Sequence, residues 1–153
     1  MSDRSVVHST FSLERVYPAS PARVFAAWAD PAAKGRWFAG DGAVHELDFR
    51  VGGHELARGR TPGDDELAFE SVYRDIVADE RIVFASTMSV RGAVVTVSIT
   101  TVQLTATAEG TRLELVEQGT FLDGHEHPEW RETGTSAQLD ALGQELASMR
   151  PVP

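Results

Sequence analysis

From Pro128 to Met149 the apolar positions recur at helical spacing. Trp130, Gly134, Ala137 and Ala141 run beside Leu139, Leu142, Leu146 and Met149, with Glu129, Arg131, Glu132, Gln138, Asp140, Gln144 and Glu145 mostly opposite. The pattern predicts one long amphipathic helix. Pro128 suits a first helical position, Glu129 and Glu132 favour the positive end of the dipole, and Arg150-Pro151 stops it. Burying its large side chains is worth on the order of ten kcal/mol as an upper bound, so the band must lie on something. Nearly everything before it reads as strand, which predicts a sheet curled around the helix.

His8 to Tyr17 alternates through Phe11, Leu13 and Val16 as a first strand. Ser20-Pro21 then opens a short helix with Val24, Phe25, Ala27 and Trp28 on its apolar side, and Asp30-Pro31 ends it. A second helical turn covers Ala32 to Trp37, and Gly40-Asp41-Gly42 is a loop. A two-residue turn at Gly52-Gly53 would pair Val51 with His54, Phe49 with Leu56, Leu47 with Arg58 and His45 with Arg60. His54 and Arg58 then point inward, while Glu46, Asp48, Arg50, Glu55, Ala57 and Gly59 form a solvent face. Thr61 to Glu66 is a polar loop, and Leu67 to Val77 a strand whose alternation slips between Tyr73 and Ile76.

Two further hairpins follow by the same reasoning. A turn at Arg91-Gly92 sets Met88 against Val95, Ser86 against Val97 and Phe84 against Ile99 on an apolar face, with Thr87, Thr96, Ala85 and Ser98 on the reverse. A turn at Glu109-Gly110 sets Ala106 against Leu113, Leu104 against Leu115 and Val102 against Glu117. The inward parity changes from odd at Ile99 to even at Val102, which predicts a bulge at Thr100-Thr101 and places Glu117 on the concave face. A carboxylate there needs a partner or water.

The 153 residues suit a single domain spanning 1–153, large enough for a core without disulfide or metal. The absence of cysteine removes thiolate sites and cysteine nucleophiles. A net charge of -9 without a basic stripe argues against nucleic acid, and the dispersed acids read as solubility. No apolar run is long enough for a membrane span and none follows Met1-Ser2-Asp3-Arg4-Ser5 as in a signal peptide, so the expected location is cytoplasmic.

Pro21-Ala22-Arg23-Val24-Phe25-Ala26-Ala27-Trp28 with Asp30-Pro31 and Trp37-Phe38, then Asp48-Phe49-Arg50-Val51-Gly52-Gly53, Phe69 to Ile76, and Gly134 with Leu139-Asp140-Ala141-Leu142, carry a likeness over essentially the whole chain. It resembles the START-like helix-grip superfamily, and within it bacterial proteins related to the activator of the heat-shock chaperone ATPase, often labelled polyketide-cyclase or lipid-transport-like. The resemblance implies an α+β helix-grip fold. About seven antiparallel strands, in the order 1-7-6-5-4-3-2, wrap the C-terminal helix, with two short helices after strand one and a cavity between sheet and helix. An insert-like stretch, Phe121 to His127, precedes the helix where the family often begins it with a bulky or glycine-tryptophan start.

The expected cavity residues are Trp28, Trp37, Phe38, His54, Arg58, Tyr73, Phe84, Ser86, Met88, Glu117, Trp130 and Leu142. Such a set suits a small hydrophobic or aromatic molecule with one or two polar handles. Trp28, Phe25 and Trp37 also read as plain core, and Glu117 with Arg58 or His54 as an internal ion pair. His125 and His127 flank Glu126 without a third metal ligand, so neither a metal nor another cofactor is expected. His45, near a strand end, reads as solvated. No nucleophile elbow, phosphate loop or paired-carboxylate motif appears, leaving no catalytic constellation. Three functions stay open. One is ligand binding, by a monomer or homodimer. The second is cyclase, dehydratase or hydrolase chemistry using a wall group such as Glu117 or His54. The third is a chaperone-activator-like interaction module.

Overall fold

The computed structural model of the protein describes residues 4–40 and 42–148; Asp41, Met149, Arg150 and Pro151, which entered the loop and helix expectations, lie outside them. Strand β1 (Val6–Tyr17) is followed by helices α1 (Pro21–Ala29) and α2 (Pro31–Lys34) and a π-helical turn, Gly35–Ala39. Then come β2 (Val44–Leu47), β3 (His54–Arg60), β4 (Glu66–Val77), β5 (Arg81–Val90), β6 (Ala93–Thr107) and β7 (Gly110–Leu122), and last α3 (Pro128–Ser148). All strand pairs are antiparallel, in the order β1-β7-β6-β5-β4-β3-β2. This is the α+β helix-grip arrangement that the sequence pattern and the resemblance imply.

The helix punctuation follows local chemistry. The Ser20 side chain accepts from the Arg23 amide, and Pro21 needs no amide partner at the first position. Asp30 serves two helices: its N–H donates to the Ala26 carbonyl, ending α1, and its side chain accepts from the Ala33 amide at 2.9 Å, starting α2.

Register decides which face each strand buries, and a shift by an odd number reverses it. The β2–β3 connection is such a case. Leu47 pairs with Glu55 and Val44 with Arg58, three positions away from the expected register. The two glycines do not form a hairpin turn; the Gly52 amide donates to the Tyr73 carbonyl at 2.7 Å, and the Tyr73 amide to Gly53 at 3.0 Å. Glu55 is therefore buried, and His54 and Arg58 are exposed.

The β5–β6 hairpin turns at Arg91-Gly92 as expected, but Ser89 pairs with Val94 and Met88 with Thr96, so the bulge falls at Val95. No bulge interrupts Thr100-Thr101. From Thr96 onward the inward residues are Thr96, Ser98, Thr100, Val102 and Leu104, whereas Val97 and Ile99 are 43% and 48% exposed. The hydroxyl-rich side of β6 thus faces inward, where Thr96 donates to Glu126 and Thr100 donates to Glu117 at 3.1 Å, while Ser86 on β5 shares a bond of 2.7 Å with Ser71 on β4. The β6–β7 turn is Ala108-Glu109, since Thr107 pairs with Gly110. That shift is by two, so Glu117 keeps its inward face and meets Thr100 instead of Val102. A third irregularity, at Arg74 in β4, lies where the alternation slips.

Helix α3 buries Arg131, Thr135, Leu139, Leu142, Glu145 and Leu146. The leucines are as expected, but Trp130, Gly134 and Ala137 are exposed, so the helix is rolled by about one residue from the anticipated stripe. Polar clamps fix that roll. Tyr17 donates to the Leu139 carbonyl at 2.7 Å, Gln138 donates to the Phe38 carbonyl at 3.0 Å, and Arg36 holds Glu145 through both carboxylate oxygens.

The fold makes a testable demand at Gly110. Its φ is +140°, and a Cβ there would lie 2.3 Å from the Tyr17 carbonyl oxygen. Gly110→Ala is expected to lower unfolding stability by about 2 kcal/mol or more. Gly134→Ala, with nothing within 4 Å of its new carbon, is expected to raise it by roughly 0.5–1 kcal/mol. Urea denaturation of both variants checks the pair.

Candidate functional site

A cavity of about 600 Å³ lies between the inner face of the sheet and α3. Its floor is aromatic because α1 and the π-helical turn project Trp28, Trp37 and Phe38 towards Phe69 on β4 and Phe84 on β5. Trp28 and Trp37 meet edge to face at 4.8 Å between ring centres, as do Trp37 and Phe38 at 5.8 Å, while Phe38 and Phe69 lie tilted at 5.5 Å. Trp37 is oriented by its indole N–H, which donates to the Ala27 carbonyl at 2.9 Å.

Beneath this floor is a buried ionic cluster. The Lys34 ammonium has no exposure and donates to both oxygens of Glu55, at 2.9 and 3.0 Å. Tyr73 donates to Glu55 at 2.7 Å, and His45 Nε2 lies 2.8 Å from its other oxygen. The ammonium also sits 4.3 Å from the centre of the Phe38 ring and 5.0 Å from that of Trp28. Burial pushes Lys34 below its ordinary value, against the pull of Glu55. Burial alone would raise the Glu55 carboxyl, but Lys34 and the hydrogen bonds from His45, Tyr73 and Lys34 outweigh it and hold it at about 2. Tyr73 is pushed up, first by burial and then by the Glu55 charge.

One wall of the cavity is polar. Arg131, in the first turns of α3, donates from Nη1 to Glu117 at 3.0 Å, and from Nη2 and Nε to Glu126 at 3.1 and 3.3 Å. Thr100 completes Glu117, and Thr96 donates to Glu126. The guanidinium lies 5.8 Å from the centre of the Phe69 ring, and all three ionic side chains are nearly buried. Burial raises the Glu117 carboxyl, with Arg131 and Thr100 opposing that rise.

The cavity brings together Trp28, Trp37, Phe38, Phe84, Met88 and Glu117, with Arg58 and Trp130 also bordering it. Arg58 is exposed, and Trp130 is 63% exposed and packs its ring on His127. Four expected cavity residues lie elsewhere. His54 is exposed and outside the lining because the β2–β3 register reverses its face. Tyr73 lies below the floor, committed to Glu55; Ser86 is bound to Ser71; and Leu142 is fully buried in the core. The partner of Glu117 is Arg131, not Arg58 or His54.

Lys34, His45, Glu55, Glu126 and Arg131 were not among the expected site residues. His45, which read as solvated, has a side chain only 8% exposed. One signal pointed to Arg131: stepping back by fours from Leu139 through Thr135 reaches it on the same face. No local signal marks Lys34 or Glu55. Among the described residues no group of three or more His, Asp or Glu side chains is placed to hold a metal ion; Glu126 is engaged with Arg131 instead.

Residues 18–147 match the family described as Activator of Hsp90 ATPase homolog 1-like protein. Among solved structures, an uncharacterized protein from Rhizobium leguminosarum is 38% identical with a TM-score of 0.91, over 95% of this chain and 98% of that one. A protein from Rhizobium loti is 48% identical with a TM-score of 0.86, over 92% and 99%. One from Chromobacterium violaceum is 29% identical with a TM-score of 0.76, over 90% and 96%. A comparison with curated proteins gives no match.

The buried cluster predicts a pH signature. A carboxyl held at about 2 instead of 4.5 stabilises the fold above the ordinary value, and that contribution is lost as pH falls through the folded one. Glu117, pushed the opposite way, contributes the opposite slope, so the informative quantity is the gap between wild type and Glu55→Gln. At neutral pH the variant is expected to be less stable by about 3–5 kcal/mol, because Lys34 loses its counter-charge. Urea titrations at stepped pH should show that gap narrowing below about pH 4.5. A gap independent of pH would assign Glu55 a packing role only.

Proposed function

Because the chain belongs to the Activator of Hsp90 ATPase homolog 1-like protein family, we propose that it works as a receptor for a small, mostly apolar or aromatic molecule held between sheet and helix. The observation that carries this reading is the unfilled gap of about 600 Å³ with an aromatic floor and one polar wall. A gap of that size lies within the usual range for a ligand site. An interaction module would have a filled core. Here Trp28, Trp37, Phe38 and Phe84 pack edge to face or tilted along one side of the gap and leave the remainder open.

The energetics favour an apolar occupant. Each 100 Å² or so of apolar wall and ligand surface removed from water is worth about 2.5 kcal/mol. The floor is already ordered by edge-to-face contacts and by the Trp37 hydrogen bond, so little side-chain entropy is lost when a ring settles on it. Glu117 supports binding more than acid–base work, since both of its oxygens are engaged, one by Thr100 and one by Arg131.

The test uses a neutral aromatic probe, N-phenyl-1-naphthylamine, followed by its fluorescence and by the unfolding midpoint. At a hundred times its dissociation constant a ligand adds about 2.7 kcal/mol, which for a chain of this size raises the midpoint by roughly 5–10 °C. Gly134→Leu, which grows a side chain from a lining position with open space beyond its Cβ, is expected to remove both the fluorescence gain and the rise. A probe that neither binds nor shifts the midpoint of the wild type would overturn the reading.

A further inference from the structure

We infer that the polar wall selects a guest whose handle is a cation, an ammonium above all, and turns away carboxylates. The inference rests on the cavity being a ligand site and concerns which polar end enters it. Its basis is the charge of the wall: two carboxylates, Glu117 and Glu126, share one guanidinium, Arg131, and the three side chains are 7%, 13% and 7% exposed. With both acids ionised the wall carries a surplus negative charge in surroundings that screen it poorly.

The hydrogen bonds have the same bias. Three of the guanidinium's five N–H groups are spent on the two glutamates. Glu117 receives only two bonds, from Thr100 and Arg131, where a carboxylate has about four acceptor positions. The unspent capacity on the acid is for accepting. A carboxylate guest would bring a third negative charge to the wall, where only two N–H groups of Arg131 are left to receive it. An ammonium would balance the wall and donate to it. Burial is the main cause that raises the Glu117 carboxyl in spite of the adjacent arginine, and the Glu126 charge adds to it last.

The rest of the cavity fits the other end of such a molecule. Phe69 lies under Arg131 and touches Phe38, so a short apolar spacer from the wall reaches the aromatic floor. Among the described residues, the other charged lining residues are Arg58 and Arg60 on β3, both exposed. Arg60 donates to the Asp64 carbonyl at 3.0 Å, which leaves Arg58 as the place where an acidic guest would bind instead.

Phenylpropylamine, phenylpropanol and phenylpropanoate share a ring and spacer and differ only in the handle. Their dissociation constants, measured by calorimetry at neutral pH and low salt, are expected to favour the amine over the propanoate by about tenfold or more, with the alcohol between. Glu126→Gln should bring the amine close to the alcohol, and Glu117→Gln should do the same, giving two positions should one variant fail to fold. Arg58→Gln should leave the order unchanged. A propanoate that binds as well as the amine, or an amine preference that survives in both glutamine variants, overturns the inference while leaving the cavity a ligand site. Failure of all three compounds to bind overturns the ligand-site reading and the inference with it.

Discussion

The guanidinium of Arg131, held between Glu117 and Glu126, sets the roll of the C-terminal helix together with the Tyr17, Gln138 and Arg36 contacts, and the shape of the interior depends on that roll. A charge buried to this degree must be paired, and the acids that pair it come from β7 and from the turn before α3. Meeting them carries Arg131, Thr135, Leu139, Leu142 and Leu146 inward and leaves Trp130 outside. Had Trp130 and Ala137 faced the sheet instead, the largest side chain of the helix would occupy the gap. The same interaction therefore anchors the helix and helps keep the cavity open.

The sheet meets this helix with hydroxyls as well as hydrocarbon. The extra residue at Val95 reverses the β6 alternation, bringing Thr96, Ser98 and Thr100 inward and placing Val97 and Ile99 outside. An inward hydroxyl is tolerable only when bonded, and Thr96 and Thr100 are bonded to the acids that hold Arg131. Bulge, hydroxyl rows and ion triad form one connected arrangement. The inner face is apolar towards β4 and the short helices, and polar towards the start of α3.

A second charged group lies under the aromatic floor. Lys34 is encircled by Trp28, Trp37, Phe38 and Phe84, with ring centres between 4.3 and 5.9 Å away, and is neutralised by Glu55. Its ammonium ties the short helix α2 to β3 and supports the faces of the rings that border the cavity. The desolvation of both ions opposes this, and the Tyr73 and His45 contacts with Glu55 offset part of that cost.

Much of the architecture was legible from periodicity and turn residues. Pro128, the leucine spacing of the last helix, the Ser20 cap, the stop at Asp30-Pro31 and the slip after Tyr73 each act over a few residues, and local chemistry settles them. Glu117 was legible as an inward acid because the error in its hairpin was a shift by two, which preserves the face. His54 and Glu55 were misplaced because their connection shifts by three, and alternation alone does not distinguish a glycine pair that turns a hairpin from one that bonds to a neighbouring strand. The sequence by itself determined the order of elements, the existence of an inward-facing sheet and a terminal helix to cover it, and the aromatic residues available between them. Only the tertiary structure decided the roll of that helix, the bulge at Val95 and the pairings of Lys34 with Glu55 and of Arg131 with Glu117 and Glu126. Those depend on long-range contacts between buried charges, whose partners are fixed by where the whole sheet brings them and not by any local pattern.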